Sequence, residues 1–209
     1  MLIAVLTAGF VSAQQLFVGG GIGVSSLGGK WTDGTTTVSD PSVFSFQLSP
    51  KVGYYVSDDL AIGVSFGFGT ASTTIPKTQT SDEIKISATS WMIGAFGRYR
   101  LAGTGDLSLW AEAGLGYGGI SGKRKEGATT IETDPTNVFS IGILPVLSYD
   151  LSDKLSIEVS SNFLRLGFES VTEYYKKGTS DEEKETSTNF GLGLNSGTGA
   201  VSVGLVFKF

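Results

Sequence analysis

Apolar positions alternate with small or polar ones along most of this chain, and the alternation comes in runs. LAIGVSFGFG shows it best: Leu60, Ile62, Val64, Phe66 and Phe68 fall on one face, and Ala61, Gly63, Ser65, Gly67 and Gly69 on the other. Strand side chains point alternately to opposite sides, so a split this regular predicts a β-strand. The run before it sets Phe44, Phe46, Leu48, Pro50, Val52, Tyr54 and Val56 against Ser45, Gln47, Ser49, Lys51 and Gly53, and Ser57-Asp58-Asp59 joins the two. Nearer the start, Leu16, Val18, Ile22 and Val24 oppose Gly19, Gly21 and Gly23.

The same grammar continues. Trp91, Ile93, Ala95, Tyr99 and Leu101 oppose Gly94, Phe96, Arg98 and Arg100, and a Gly103-Thr104-Gly105-Asp106 turn follows. Leu107, Leu109, Ala111, Ala113, Leu115 and Tyr117 then oppose Ser108, Trp110, Glu112, Gly114 and Gly116. Phe139, Ile141, Ile143, Pro145, Leu147, Tyr149 and Leu151 oppose Ser140, Gly142, Ser148 and Asp150, with a turn at Ser152-Asp153-Lys154. Leu155, Ile157, Val159 and Phe163 continue until the phase slips to Leu164, Leu166 and Phe168, which predicts a β-bulge of one extra residue between Phe163 and Arg165. The last run places Val201, Val203, Leu205, Phe207 and Phe209 against Ala200, Ser202, Gly204 and Lys208, with Val206 the one large exception.

Between the runs, connections are alternately very short and long. The polar segments 28–42, 75–90, 122–137 and 169–188 read as long loops, the last carrying Asp181-Glu182-Glu183. The sum is eight strands. Residues 190–194 are taken as the upper part of a long final strand bent near Ser196-Gly197, because a ninth strand would leave the termini on opposite sides. An internal repeat supports the parse: Pro50, Tyr54, Val56, Ser57, Asp58, Leu60, Ile62 and Val64 match Pro145, Tyr149, Leu151, Ser152, Asp153, Leu155, Ile157 and Val159 at a constant offset. Prolines in mid-strand argue for bulges or for ladder positions that need no donor.

Composition decides where the bulky face points. No apolar run approaches the roughly 20 residues of a membrane helix, yet hydrophobic residues make up 40% and charged ones only 17%, with 30 glycines among 209 residues. A soluble barrel or a sandwich edge would put the bulky face inward and needs Lys and Glu outside. Here the opposite face is glycine and serine. Small residues with a few charges fit inside a narrow barrel whose bulky set meets lipid. Facing inward are then Lys51, Arg98, Arg100, Glu112, Asp150, Glu158 and Lys208, a lumen charge cluster that must pair, because an unpaired buried charge costs several kcal/mol. Tyr54, Trp91, Tyr99, Tyr117 and Tyr149 lie near strand ends, where interfacial aromatic girdles sit.

Met1 to Ala13 combines an apolar run with Val11-Ser12-Ala13, the pattern of a secretory signal cut before Gln14. The usual basic start is missing, which leaves open a start further upstream. Residues 14–209 form the barrel domain. A net charge of −5 offers no basic surface for nucleic acid. With no Cys and no His, Ser-His-Asp and Cys-His nucleophiles and His-ligated metals are excluded. The glycines from Gly19 to Gly23 lie inside a strand pattern with no helix after them, so they are no nucleotide loop, and the acidic run at Asp181 lacks calcium-loop spacing. No cofactor is expected.

These features together, above all an aromatic carboxy-terminal strand and the Pro50 to Leu60 hairpin with its Tyr and Ser-Asp turn, resemble the small outer-membrane β-barrels of the OmpA/OmpX type, in particular the porin-family barrel domains of Bacteroidetes-like envelopes. The resemblance implies an all-β, eight-stranded antiparallel up-and-down transmembrane barrel with short periplasmic turns and long extracellular loops. It implies outer-membrane lipid as surroundings, a monomer, and Leu205, Phe207 and Phe209 as the signal read by the barrel-insertion machinery. Outer-membrane enzymes of this shape use histidine, which is lacking here, so the expected role is a non-enzymatic scaffold presenting extracellular loops for contact or adhesion. The alternative is a narrow channel for small solutes.

Overall fold

The computed structural model describes residues 16–34, 36–77, 82–161, 164–178, 180–193 and 201–209. The signal segment and the bend near Ser196-Gly197 lie outside the described residues. The fold is all-β: β1 (Leu16–Leu27), β2 (Lys30–Asp33), β3 (Thr36–Ser39), β4 (Ser42–Ser57), β5 (Leu60–Ile75), β6 (Ile84–Thr104), β7 (Leu107–Glu126), β8 (Thr129–Ser152), β9 (Leu155–Ser161), β10 (Leu166–Tyr175), β11 (Glu183–Leu192) and β12 (Val201–Lys208). Eight of them, in the order β1-β4-β5-β6-β7-β8-β9-β12, pair antiparallel around a closed ring. Strand β10 continues beside β8, and β11 beside β10, while β2 and β3 form a separate hairpin.

The facing follows the alternation. Ile62, Val64, Phe66, Trp91, Ile93, Leu115, Ile141, Leu205 and Phe207 are exposed on the outside, whereas Phe17, Ala61, Phe96, Trp110, Val146 and Val206 are buried inside. Val206, the exception in its strand, is therefore core. Trp91 and Tyr117 meet edge to face at 6.1 Å on the outer surface.

The repeat encodes a bulge. Pairing shifts between Tyr55 and Ser57 in the β4–β5 hairpin and between Asp150 and Ser152 in the β8–β9 hairpin, which are equivalent positions. The prolines fall where the ladder is interrupted. Pairing of β4 with β5 skips from Leu48 to Lys51, leaving Pro50 out, and Pro145 lies where the neighbour of β8 changes from β9 to β10. Neither site needs the missing donor.

Two expectations are corrected. The long segments read as loops are mostly strand: β6 starts at Ile84, β7 runs to Glu126, β8 begins at Thr129, and β10 and β11 fill much of 169–188. Backbone pairing continues past the apolar band because a ladder needs only N–H and C=O partners, while polar faces are solvated on both sides. The phase slip is larger than one residue. Six steps of chain from Ser160 to Leu166 accompany three along β8, from Val146 to Ile143, so β9 and β10 are separate strands. The excess is odd, which is why the parity flips.

Candidate functional site

The turn-end half of the lumen is packed shut. Lys51 on β4, Arg98 on β6, Glu112 on β7 and Glu158 on β9 converge there from four strands. Lys51 Nζ lies 2.5 Å from Glu158 Oε2 and 3.5 Å from Glu112 Oε2. Arg98 Nη1 donates to Glu158 Oε1 at 2.5 Å, and its Nη2 donates to the Tyr55 hydroxyl at 2.7 Å. Two cations thus face two carboxylates, and Arg98 is only 1% exposed.

Rings complete the enclosure. The Arg98 guanidinium carbon sits 4.5 Å from the Phe17 ring centre, 5.0 Å from Trp110 and 5.4 Å from Tyr55. Phe17 also contacts Tyr55 and Phe96, with centroids 5.0 and 6.3 Å apart. Among the described residues Arg98 Nε has no hydrogen-bond partner. The ring faces around the guanidinium supply cation–π stabilisation that water would otherwise offer. Glycines make room for these rings: a Cβ at Gly53 would collide with the Phe17 ring, and one at Gly63 would meet the end of the Phe96 ring.

The other inward charges do not join this group. Asp150 accepts from Lys208 Nζ at 2.7 Å and from Ser156 Oγ at 2.6 Å nearer the turns, where Arg100 lies over Gly103. Lys51, Arg98, Glu112 and Glu158 are thus brought together, Asp150 and Lys208 form a second pair, and Arg100 makes neither set. At the closing strand, Leu205, Phe207 and Phe209 point outward, and the Phe209 N–H donates to the Leu16 carbonyl at 3.0 Å, tying the C-terminus to the first strand.

Sequence reading missed Tyr55, the closing role of Phe17 and Trp110, and Arg165. All but Arg165 are bulky residues on the small-residue face, and strict attention to parity finds them. Arg165 sits just after the slip, and the parity of Leu164, Leu166 and Phe168 that the sequence already showed sends it inward.

In the hairpins beyond the apolar band, Lys123 and Glu132 pair at 2.8 Å. Their hydrogen bond raises the Lys123 ammonium above its ordinary range and lowers the Glu132 carboxyl below its own. Among the described residues no group of His, Cys, Asp or Glu has the arrangement to hold a metal.

An outward apolar band, interfacial aromatics and a closed eight-stranded ring define a membrane-spanning β-barrel of the outer-membrane class, with a lumen filled at one end. The chain is similar in structure to a major outer membrane protein of Thermus thermophilus, at 13% identity over 95% of this chain and 100% of that one, with a TM-score of 0.51. It is also similar to Neisserial surface protein A, at 13% identity over 95% and 98% with a TM-score of 0.39. A third is Ail, the attachment invasion locus protein of Yersinia pestis, at 17% identity over 95% and 100% with a TM-score of 0.39. At such identity the Thermus protein shows the fold alone, and the two lower scores add nothing to it. No protein-family model matches the chain. No curated protein matches it either.

Proposed function

We propose that this chain is a non-enzymatic, non-conducting scaffold of the outer membrane, reached through the periplasm after signal cleavage. It holds its long hairpins outside the cell for contact or adhesion. The observation that carries this reading is the plug of Lys51, Arg98, Glu112 and Glu158 walled by Phe17, Tyr55, Phe96 and Trp110, which fills the lumen at that level with paired charges and buried rings. The ion pairing also supports the absence of catalysis. Glu112 and Glu158 share Lys51 as a partner, whereas an acid–base pair needs groups free to exchange protons with a substrate. Outer-membrane lipid surrounds the apolar band, the barrel acts as a monomer, and the insertion machinery reads Leu205, Phe207 and Phe209.

Planar-bilayer recording of the refolded chain tests the proposal, with heat-modifiable gel migration confirming that the barrel has formed. A folded barrel that stays silent is the expected result. Discrete current steps that change with Glu112→Gln would replace the scaffold by a channel.

A further inference from the structure

The hairpins that rise past the aromatic girdle sort their charges by face. The girdle ring Trp91 is level with Gly119, Asn137, Thr172 and Thr186 on successive strands, so parity can be followed upward from there. On β6, β7, β10 and β11 the outward parity above that level carries Lys85, Lys123, Lys125 and Lys184 and, among the described residues, no carboxylate. Glu126, Glu173, Glu183 and Glu185 have inward parity. The inward cation Arg124 is held by Glu126 at 3.1 Å, and β8 adds Glu132 outside, where it pairs with Lys123. Water alone gives no reason for this sorting, because above the apolar band it would reach both faces. Lys85 and Lys125 even stand directly opposite each other, a placement that costs stability unless an anion lies against it. In a chain of net charge −5, the cations lie on the side that meets lipid head groups.

One strip of this face has the shape of a whole lipid. Tyr174 and Lys184 pair across β10 and β11 one step above the girdle, about 7 Å along the strands. Lys177 Nζ lies 4.2 Å from the Tyr174 ring centre and Lys184 Nζ 5.2 Å, and Lys184 also meets Glu182 at the hairpin tip at 3.3 Å. Asn137 Nδ2 donates to the Tyr174 hydroxyl at 3.2 Å, which ties the ring to β8. Hydroxyls follow below: Thr172 and Thr186 bond each other at 3.0 Å, and Ser170 stands opposite Thr188. Lower still, the same strands carry an apolar groove of about 320 Å³ between Ile141, Ile143, Leu166, Phe168 and Phe190. Lys184 and Phe190 share the outward face of β11, about 20 Å apart along a tilted strand and about 15 Å apart in depth. That is the span from a lipid phosphate to the middle of its acyl chain.

We propose that this strip binds one phosphate-bearing anionic lipid of the outer leaflet, its phosphate held by Lys177 and Lys184 over Tyr174 and an acyl chain lying in the groove below. A groove at that depth is filled by hydrocarbon, and the lysines above it decide which lipid supplies the chain. Their long stems lie along apolar surface while their ammonium groups reach the phosphate level, and cations beside a membrane draw anionic lipid. The inference goes beyond the scaffold reading and takes from it only that the hairpin end of the barrel lies in the outer leaflet.

Phe190→Trp places a reporter in the groove. The full barrel is refolded into phosphatidylcholine vesicles with rising fractions of phosphatidic acid, bromine being carried on the acyl chains of one lipid or the other. The signal is the quenching that Phe190→Trp adds to that of the unsubstituted barrel. Phosphatidic acid should be preferred in the groove about tenfold over phosphatidylcholine. Lys177→Gln with Lys184→Gln should remove the preference, and Lys177→Arg with Lys184→Arg should keep it. Val64→Trp, on the exposed outer face of β5, should report bulk lipid and show no preference. Equal quenching by the two lipids at Phe190→Trp would overturn the proposal, as would a preference that survives the glutamine pair or that Val64→Trp shares. Displacement of the brominated lipid by inorganic phosphate would assign the lysines to a free anion and overturn it too. If the glutamine pair fails to show the folded gel band, the comparison of Phe190→Trp with Val64→Trp in barrels that keep both lysines decides the point. Quenching at neither reporter would contradict the outward facing itself, an outcome distinct from equal quenching by both lipids.

Discussion

Glu158→Gln should lower the unfolding free energy of the barrel in lipid vesicles by about 3–5 kcal/mol. Among the described residues Glu158 is the one carboxylate that both Lys51 and Arg98 contact. Without its charge, Arg98 stays enclosed by Phe17, Tyr55 and Trp110 with no anion in contact, and Lys51 keeps only Glu112 at 3.5 Å. Glutamine can still accept one hydrogen bond, so the loss is chiefly that of charge compensation. Paired removal should cost less than the sum of its parts, because an apolar Arg98→Met, Glu158→Leu barrel leaves no orphaned charge. Urea unfolding of the four members of this cycle measures the coupling. A coupling near zero would mean that water reaches Arg98 and that the turn-end lumen is open.

Leu205→Arg should destabilise by about 2–4 kcal/mol, whereas Ser202→Arg should escape that depth-dependent penalty. The two residues share β12 but point opposite ways. Leu205 lies on the outer face between Gly20 and Ile157, while Ser202 has lumen parity with Gly204, Val206 and Lys208. An arginine at Leu205 must hold its charge in hydrocarbon or bend far to leave it, and one at Ser202 points to the lumen side of the strand. Unfolding of both variants in the same vesicles gives the comparison, and equal losses would contradict the facing.

Much of this was legible in the residues because a period of two leaves little freedom. Once Leu60 to Gly69 is a strand, parity alone sends Arg98, Glu112 and Glu158 to one side, and antiparallel register sets Arg98 opposite Glu112. The repeat was legible too, and it carried more than hairpin similarity, since Tyr55 and Asp150 occupy the same bulged position and each holds a cation, Arg98 in one case and Lys208 in the other. The aromatic enclosure was harder to see. Phe17, Tyr55 and Trp110 break the small-residue pattern of their face, and their reason is the guanidinium they surround, which lies far off in sequence. The hairpin extensions were hidden because alternation vanishes when both faces meet water, although the backbone ladder persists. Nothing local announces where the described pairing of β1 with β12 ends, at Gly21 and Gly204: that is a choice of partner and not of residue type.

The facing of the barrel is tested most directly by placing single spin-labelled cysteines at each position from Leu60 to Gly69 in vesicles and measuring collision with oxygen, which concentrates in lipid. High oxygen accessibility at Leu60, Ile62, Val64, Phe66 and Phe68, with low values at Ala61, Gly63, Ser65, Gly67 and Gly69, is the predicted result. The reverse alternation, or none, would contradict a barrel that turns its bulky face to the membrane.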